Sequence, residues 1–173
     1  PLATIKSASE LMSEEMPLEE RIKFCKNIQN ESNRIQELAD EMLELASLEV
    51  LETPQHNEKI VLEKMIAHIL KQASPLLEQQ KIEVKAELDP SLTISGDPIL
   101  IKQAFSNILS NAIDFSPSEK CIFITLIKEN NQARLTIEDE GSGIPDYAQN
   151  RIFEKFYSLP RPKTGRKSTG LGL

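Results

Sequence analysis

The run DPILIKQAFSNILSNAIDFSP at residues 97–117 leads, after three residues, into CIFITLIKENNQARLTIEDEGSGIP at residues 121–145. Asp97 is a good N-cap, and Pro98 takes the first helical position, where a missing N–H costs nothing. A helix is therefore predicted from Pro98 to about Phe115, stopping before Ser116-Pro117. Cys121–Lys128 and Gln132–Glu138 then read as two strands of a hairpin that turns at Asn130-Asn131. A helix running straight into such a hairpin predicts helices packed on a largely antiparallel sheet.

Toward the N-terminus, Leu92–Ser95 reads as a short strand and KIEVKAEL, Lys81–Leu88, alternates as another. Glu63–Gln80 is expected to be helical, with Leu62, Met65, Ile69, Ala73 and Leu76 on one face, after a short strand at Ile60–Leu62. TPQHNE, Thr53–Glu58, is a linker by its Pro and polar residues. Residues 1–52 hold no Gly and one internal proline, Pro17, and their apolar residues Ile28, Ile35, Leu38, Met42 and Leu45 follow helical steps. The expectation is a first helix to about Glu15, a turn at Met16-Pro17 and a long helix from Leu18 to Leu51, an antiparallel hairpin. Such a hairpin has one partner face for its stripe. Further burial is expected in a homodimer, as a four-helix bundle. The fold class is α+β, with residues 1–52 the hairpin, 53–58 the linker and 59–173 a second domain.

The 173 residues are 39% hydrophobic, which fits a soluble globular chain too short for a large multi-domain enzyme. The apolar stretch Cys121–Ile127 is about a third of the roughly 20 residues a membrane helix needs, so no direct membrane insertion by this segment is expected. Cys25 and Cys121 lie far apart outside any C-x-x-C, so they imply neither a disulfide framework nor a zinc site and are expected in the core. A reducing cytoplasm fits this. A net charge of −7 argues against nucleic-acid binding, which rests on Lys and Arg neutralising phosphates. From Lys155 onward, however, the chain holds Lys155, Arg161, Lys163, Arg166 and Lys167 and no acid, which suggests a local anion site.

Asn107 and Asn111 are four apart on one helix face, and amide oxygens are neutral, hard ligands of the kind Mg²⁺ accepts. Read as capping or exposed side chains they carry no chemistry. Asp139 follows a strand and precedes Gly141 and Gly143. A carboxylate there can accept from an exocyclic amine while the glycines make room for a planar ring; the bland reading is a turn. Gly170-Leu171-Gly172-Leu173 can open a helix whose amides receive phosphate. Neither a P-loop nor a Rossmann fingerprint is present.

The order of these elements closely resembles the ATP-binding domain of two-component sensor histidine kinases, of the GHKL or Bergerat type, an α/β sandwich. NILSNAIDFSP is similar to that family's asparagine box, DEGSGIP to its first glycine box, FEKFY (Phe153–Tyr157) to its phenylalanine box and TGLGL (Thr169–Leu173) to its second glycine box. PLATIKSASELM resembles the continuation of its phosphoacceptor helix. FYSLPRPKTGRKSTGLGL is most similar to the carbon-source-responsive subgroup. The resemblance implies ATP and Mg²⁺ as ligands, with Asn111 the principal metal ligand and Asn107 supporting it. Asp139 would hold the adenine amine, Gly141, Gly143 and Ile144 would shape its pocket, and Phe115 would stack near it. Thr169, Gly170, Leu171 and Gly172 would close on the phosphates, and one or more of Arg161, Arg166 and Lys167 would neutralise them.

The implied reaction is γ-phosphoryl transfer to a histidine and then to an aspartate of a response-regulator receiver domain. The parent protein would be anchored in a bacterial inner membrane, with this core in the cytoplasm. The family's phosphoacceptor motif would precede Pro1, and neither His56 nor His68 matches it, so no catalytic histidine is assigned and the chain is not expected to label itself. It is also expected to stop inside the second glycine box. Asp114 stands where many relatives carry Lys or Arg, and would repel ATP unless it points away. Phe153 and Phe156 are expected to anchor the lid in the core. Two rival readings are a non-catalytic dimeric interaction module with a vestigial site and a GHKL-type ATP hydrolase. Asn107 opposes the second, because an amide cannot serve as the general base that activates water.

Overall fold

The structure, a computed structural model, describes residues 2–12, 16–50, 57–162, 165 and 170. The chain divides into two compact units, Pro1–Leu51 and Glu52–Leu173. In the first, α1 (Leu2–Leu11) packs against α2 (Leu18–Val50). Along α1, Ile5, Ala8 and Met12 are at least partly covered, and along α2 Phe24, Ile28, Glu31, Ile35 and Leu38 are. These steps of three and four are the narrow seam of a helical pair. Cys25 is exposed, its Sγ 3.9 Å from Met12 Sδ, and so is not the core residue that its type suggests.

The second unit runs β1 (Glu58–Val61), α3 (Leu62–Gln80), β2 (Glu83–Leu88), β3 (Thr93–Gly96), α4 (Pro98–Phe115), β4 (Cys121–Glu129), β5 (Gln132–Asp139) and a short α5 (Asp146–Gln149). β1 and β3 form an antiparallel pair, Ile60 opposite Ile94. The other strands form a three-stranded sheet in the order β2-β4-β5. β4 and β5 pair antiparallel, whereas β2 and β4 pair parallel, with Val84 opposite Ile122. A parallel neighbour needs a long crossover, and β3 with α4 supplies it. Asn130 and Asn131, at φ 46° and 64°, make the tight turn of the hairpin, a conformation that asparagine tolerates.

Asp97 caps α4 through Oδ1, which accepts from the N–H groups of Ile99 at 2.9 Å and Leu100 at 3.4 Å. Phe105, Leu109, Ala112 and Ile113 then fall on the buried stripe of α4, against Ile122, Ile124 and Leu126 of β4 and Ile66 and Ile69 of α3. Fully burying each such aliphatic side chain contributes about 1.5–3 kcal/mol. The buried face of α3 is Leu62, Ile66, Ile69 and Leu77, with Met65 and Ala73 at its edge, while Leu76 is exposed. The stripe is thus turned by one residue from the expected one at its C-terminal end.

Candidate functional site

α4 presents a second stripe beside the buried one. Ile108, Asn111, Ala112 and Phe115 form one wall of a cavity of about 280 Å³, whose other walls are Ile137 and Asp139 of β5, Gly143 and Ile144 of the following loop, Ile152, the segment Tyr157–Leu159, and Gly170. The strand's period of two puts Ile137 and Asp139 on the same face, so an apolar contact and a carboxylate enter together. Ile152 was not signalled by any motif, and Tyr157, Ser158 and Leu159, although inside the FYSLPRPKTGRKSTGLGL stretch, were not singled out as cavity walls. Ile108 and Ile137 were, in retrospect, marked by helical and strand spacing from Asn111 and Asp139.

The loop after β5 is shaped by its acid and its glycines. One oxygen of Asp139 accepts the Gly141 N–H at 2.8 Å, so the second remains outside this turn as an acceptor. A Cβ on Gly141 would stand 2.6 Å from Asp139 Oδ1 and 2.7 Å from the Phe115 carbonyl oxygen, so a side chain there would push the loop off the end of α4. Glu140 points elsewhere: its Oε2 accepts the Cys121 N–H at 2.7 Å, and Lys120 lies 3.8 Å from its other oxygen. The Phe156 N–H donates to the Gly170 carbonyl at 2.8 Å, and a Cβ on Gly170 would meet Phe156 and Tyr157 backbone atoms at 2.5–2.6 Å.

Asn111, Phe115, Asp139, Gly143, Ile144 and Gly170 therefore surround one space, and Gly141 sits behind it. Asn107 is not among the described lining residues; one turn back, its Oδ1 accepts from Gln103 Nε2 at 3.4 Å. Arg161 is not among them either, because its guanidinium lies 2.8 Å from Asp114. Phe153 and Phe156 are exposed, not core anchors, and Phe156 takes the left-handed backbone conformation at φ 66°. Arg166, Lys167, Thr169, Leu171 and Gly172, like His56, lie outside the described residues. His68 is exposed on α3.

Residues 96–173 match the histidine kinase-, DNA gyrase B- and HSP90-like ATPase family. The whole chain aligns at 39% identity with sensor protein CreC of Escherichia coli strain K12, covering 36% of that protein. The chain belongs to the sensor histidine kinases. It spans about a third of the length of the curated relatives it matches. Two solved structures share the fold of this kinase region. Full-length ShkA in complex with AMPPNP superposes with a TM-score of 0.70 at 22% identity, over 98% of this chain and 35% of that one. Histidine kinase ThkA in complex with response regulator protein TrrA gives 0.74 at 22% identity, over 91% and 47%. No helix among the described residues is long and apolar enough to cross a membrane.

Proposed function

We propose that this chain is the cytoplasmic core of a membrane-anchored two-component sensor kinase, dimeric through its hairpin. It holds ATP with Mg²⁺ in the cavity beside α4 and delivers the γ-phosphoryl group to a histidine. From there the group passes to an aspartate on a response-regulator receiver domain. The observation that carries the reading is the meeting of Asn111, Phe115 and Asp139 around one largely apolar cavity. A planar base fits between Phe115, Ile137 and Ile144, with its amine given to the second oxygen of Asp139. The AMPPNP complex of ShkA and the regulator complex of ThkA support the same ligand and partner classes.

Among the described residues no three His, Cys, Asp or Glu gather to hold a metal by themselves. A Mg²⁺ ion would take the Asn111 amide oxygen, supported from Asn107, and otherwise phosphate oxygens and water, as this cation usually does. It would supply charge neutralisation, which with positioning is most of what phosphoryl transfer requires. One or more of the bases in the stretch after Lys155 supplies more. Asn107 cannot act as a base toward water, which favours transfer over hydrolysis.

Calorimetric titration with AMPPNP, with and without Mg²⁺, tests this on the chain and on Asp139→Asn. Mg²⁺-dependent binding is expected, weakened about tenfold or more in the variant, the scale of a lost hydrogen bond to a charged group. Absence of binding by the unaltered chain defeats the proposal.

A further inference from the structure

Asp114 lies in the last turn of α4, three residues beyond Asn111, at the negative end of the helix dipole and with no basic residue of α4 in that turn. A carboxylate there is opposed by the helix end and would oppose a triphosphate next to it. Arg161 answers both problems. Its Nη2 is 2.8 Å from Asp114 Oδ2, with the two side chains 38% and 20% exposed, against 71% and 70% for the Lys81–Glu119 pair of the same unit. Solvent screens such a half-covered pair less than an ordinary surface pair.

Arg161 ends the segment whose Tyr157, Ser158 and Leu159 wall the cavity. Its carbonyl accepts the Gly165 N–H at 2.8 Å, so the residue is held in a turn, and the base of the same loop is tied by the Phe156–Gly170 hydrogen bond. The wall thus has a backbone tie at one end and the Arg161–Asp114 bond at the other.

We propose that Asp114 is a positioning residue. Its carboxylate holds Arg161 and so seats the Tyr157–Arg161 wall on the helix that carries Asn111, and Arg161 serves this bond in place of a phosphate. The inference rests on the nucleotide reading above.

The test is an NMR titration of the full chain with adenosine and, separately, with AMPPNP and Mg²⁺. It uses Asp114→Ala, Arg161→Ala, their combination, and the exchanged pair Asp114→Arg with Arg161→Asp. Each single variant is expected to lose roughly three- to fivefold in affinity for both ligands, the double no more than either, and the exchanged pair is expected to recover most of it. A pure phosphate ligand behaves differently: Arg161→Ala would then weaken AMPPNP alone and Asp114→Ala would tighten it. Either of those results overturns the proposal, as does an exchanged pair no better than the singles. Binding by the unaltered chain that no variant disturbs removes the positioning role and leaves the nucleotide reading intact. No binding of either ligand by the unaltered chain removes both.

Discussion

Gly141 and Gly143 look interchangeable in DEGSGIP, yet the structure needs them for different reasons. At Gly141 the constraint is space, since the Phe115 carbonyl oxygen and Asp139 Oδ1 crowd any Cβ to 2.7 and 2.6 Å. At Gly143 no atom lies within 4 Å of a Cβ, and the constraint is the backbone at φ +71°. Asparagine tolerates that region far better than other residues. Gly143→Asn is therefore expected to fold and bind AMPPNP close to the unaltered chain, whereas Gly141→Ala should lose about 1–3 kcal/mol in urea unfolding and bind AMPPNP more weakly. Equal losses at both positions would show that the loop does not pack on α4 as described. The motif revealed that two glycines were required there. What Gly141 avoids depends on Phe115, 26 residues earlier in the chain, and such a contact leaves no local trace.

α3 shows where pattern reading succeeds and where it stops. Its helical periodicity was legible through Pro75, although a proline inside a helix deprives the carbonyl four residues back of its donor. That carbonyl belongs to Lys71, and the Ser74 hydroxyl donates to it at 3.0 Å. Ser74→Ala should therefore lower stability by about 0.5–1 kcal/mol, read as a lower thermal midpoint, and the loss should largely vanish in a Pro75→Ala background, where the backbone N–H returns. Full additivity of the two changes would refute the coupling. The end of the same helix was not legible. Lys81 adopts the left-handed conformation, φ 54°, donates to Glu78, and the Ile82 N–H reaches the Leu77 carbonyl at 2.9 Å. This is a Schellman stop without its usual glycine, closed by the buried Leu77 and Ile82. It moves the start of β2 from the expected Lys81 to Glu83. The N-terminus of α4 was readable because Asp-Pro states its geometry locally; a lysine in a left-handed cap does not. The parallel pairing of β2 with β4 was hidden for the same reason, since strand partners are chosen by the core they close, not by either sequence alone.

At the scale of the whole molecule, the charge is divided between the two units, and salt should act on them in opposite senses. Residues 1–51 carry 5 Lys and Arg against 11 Asp and Glu, while the stretch from Lys155 onward carries five bases and no acid. The hairpin also leaves Leu2, Leu11, Leu18, Ile22 and Met42 exposed, apolar surface of the kind that a second copy would cover. If two hairpins associate through that surface, two acidic segments are brought together, and their repulsion is screened as salt rises, the Debye length falling to about 8 Å at physiological ionic strength. Burial of the apolar stripe is insensitive to this screening. Dimerisation followed by sedimentation equilibrium should therefore tighten between 20 mM and 300 mM salt, and Ile22→Glu should weaken it by placing a charge on the contact surface. The attraction of a triphosphate to the basic stretch should weaken over the same range, with adenosine binding unchanged. Because the units are separately compact, Ile22→Glu should leave AMPPNP affinity within about twofold of the unaltered chain, an effect below 0.5 kcal/mol by the usual additivity of distant sites. Dimerisation that weakens with added salt would mean that ion pairs, rather than the exposed leucines and isoleucine, hold the two copies together.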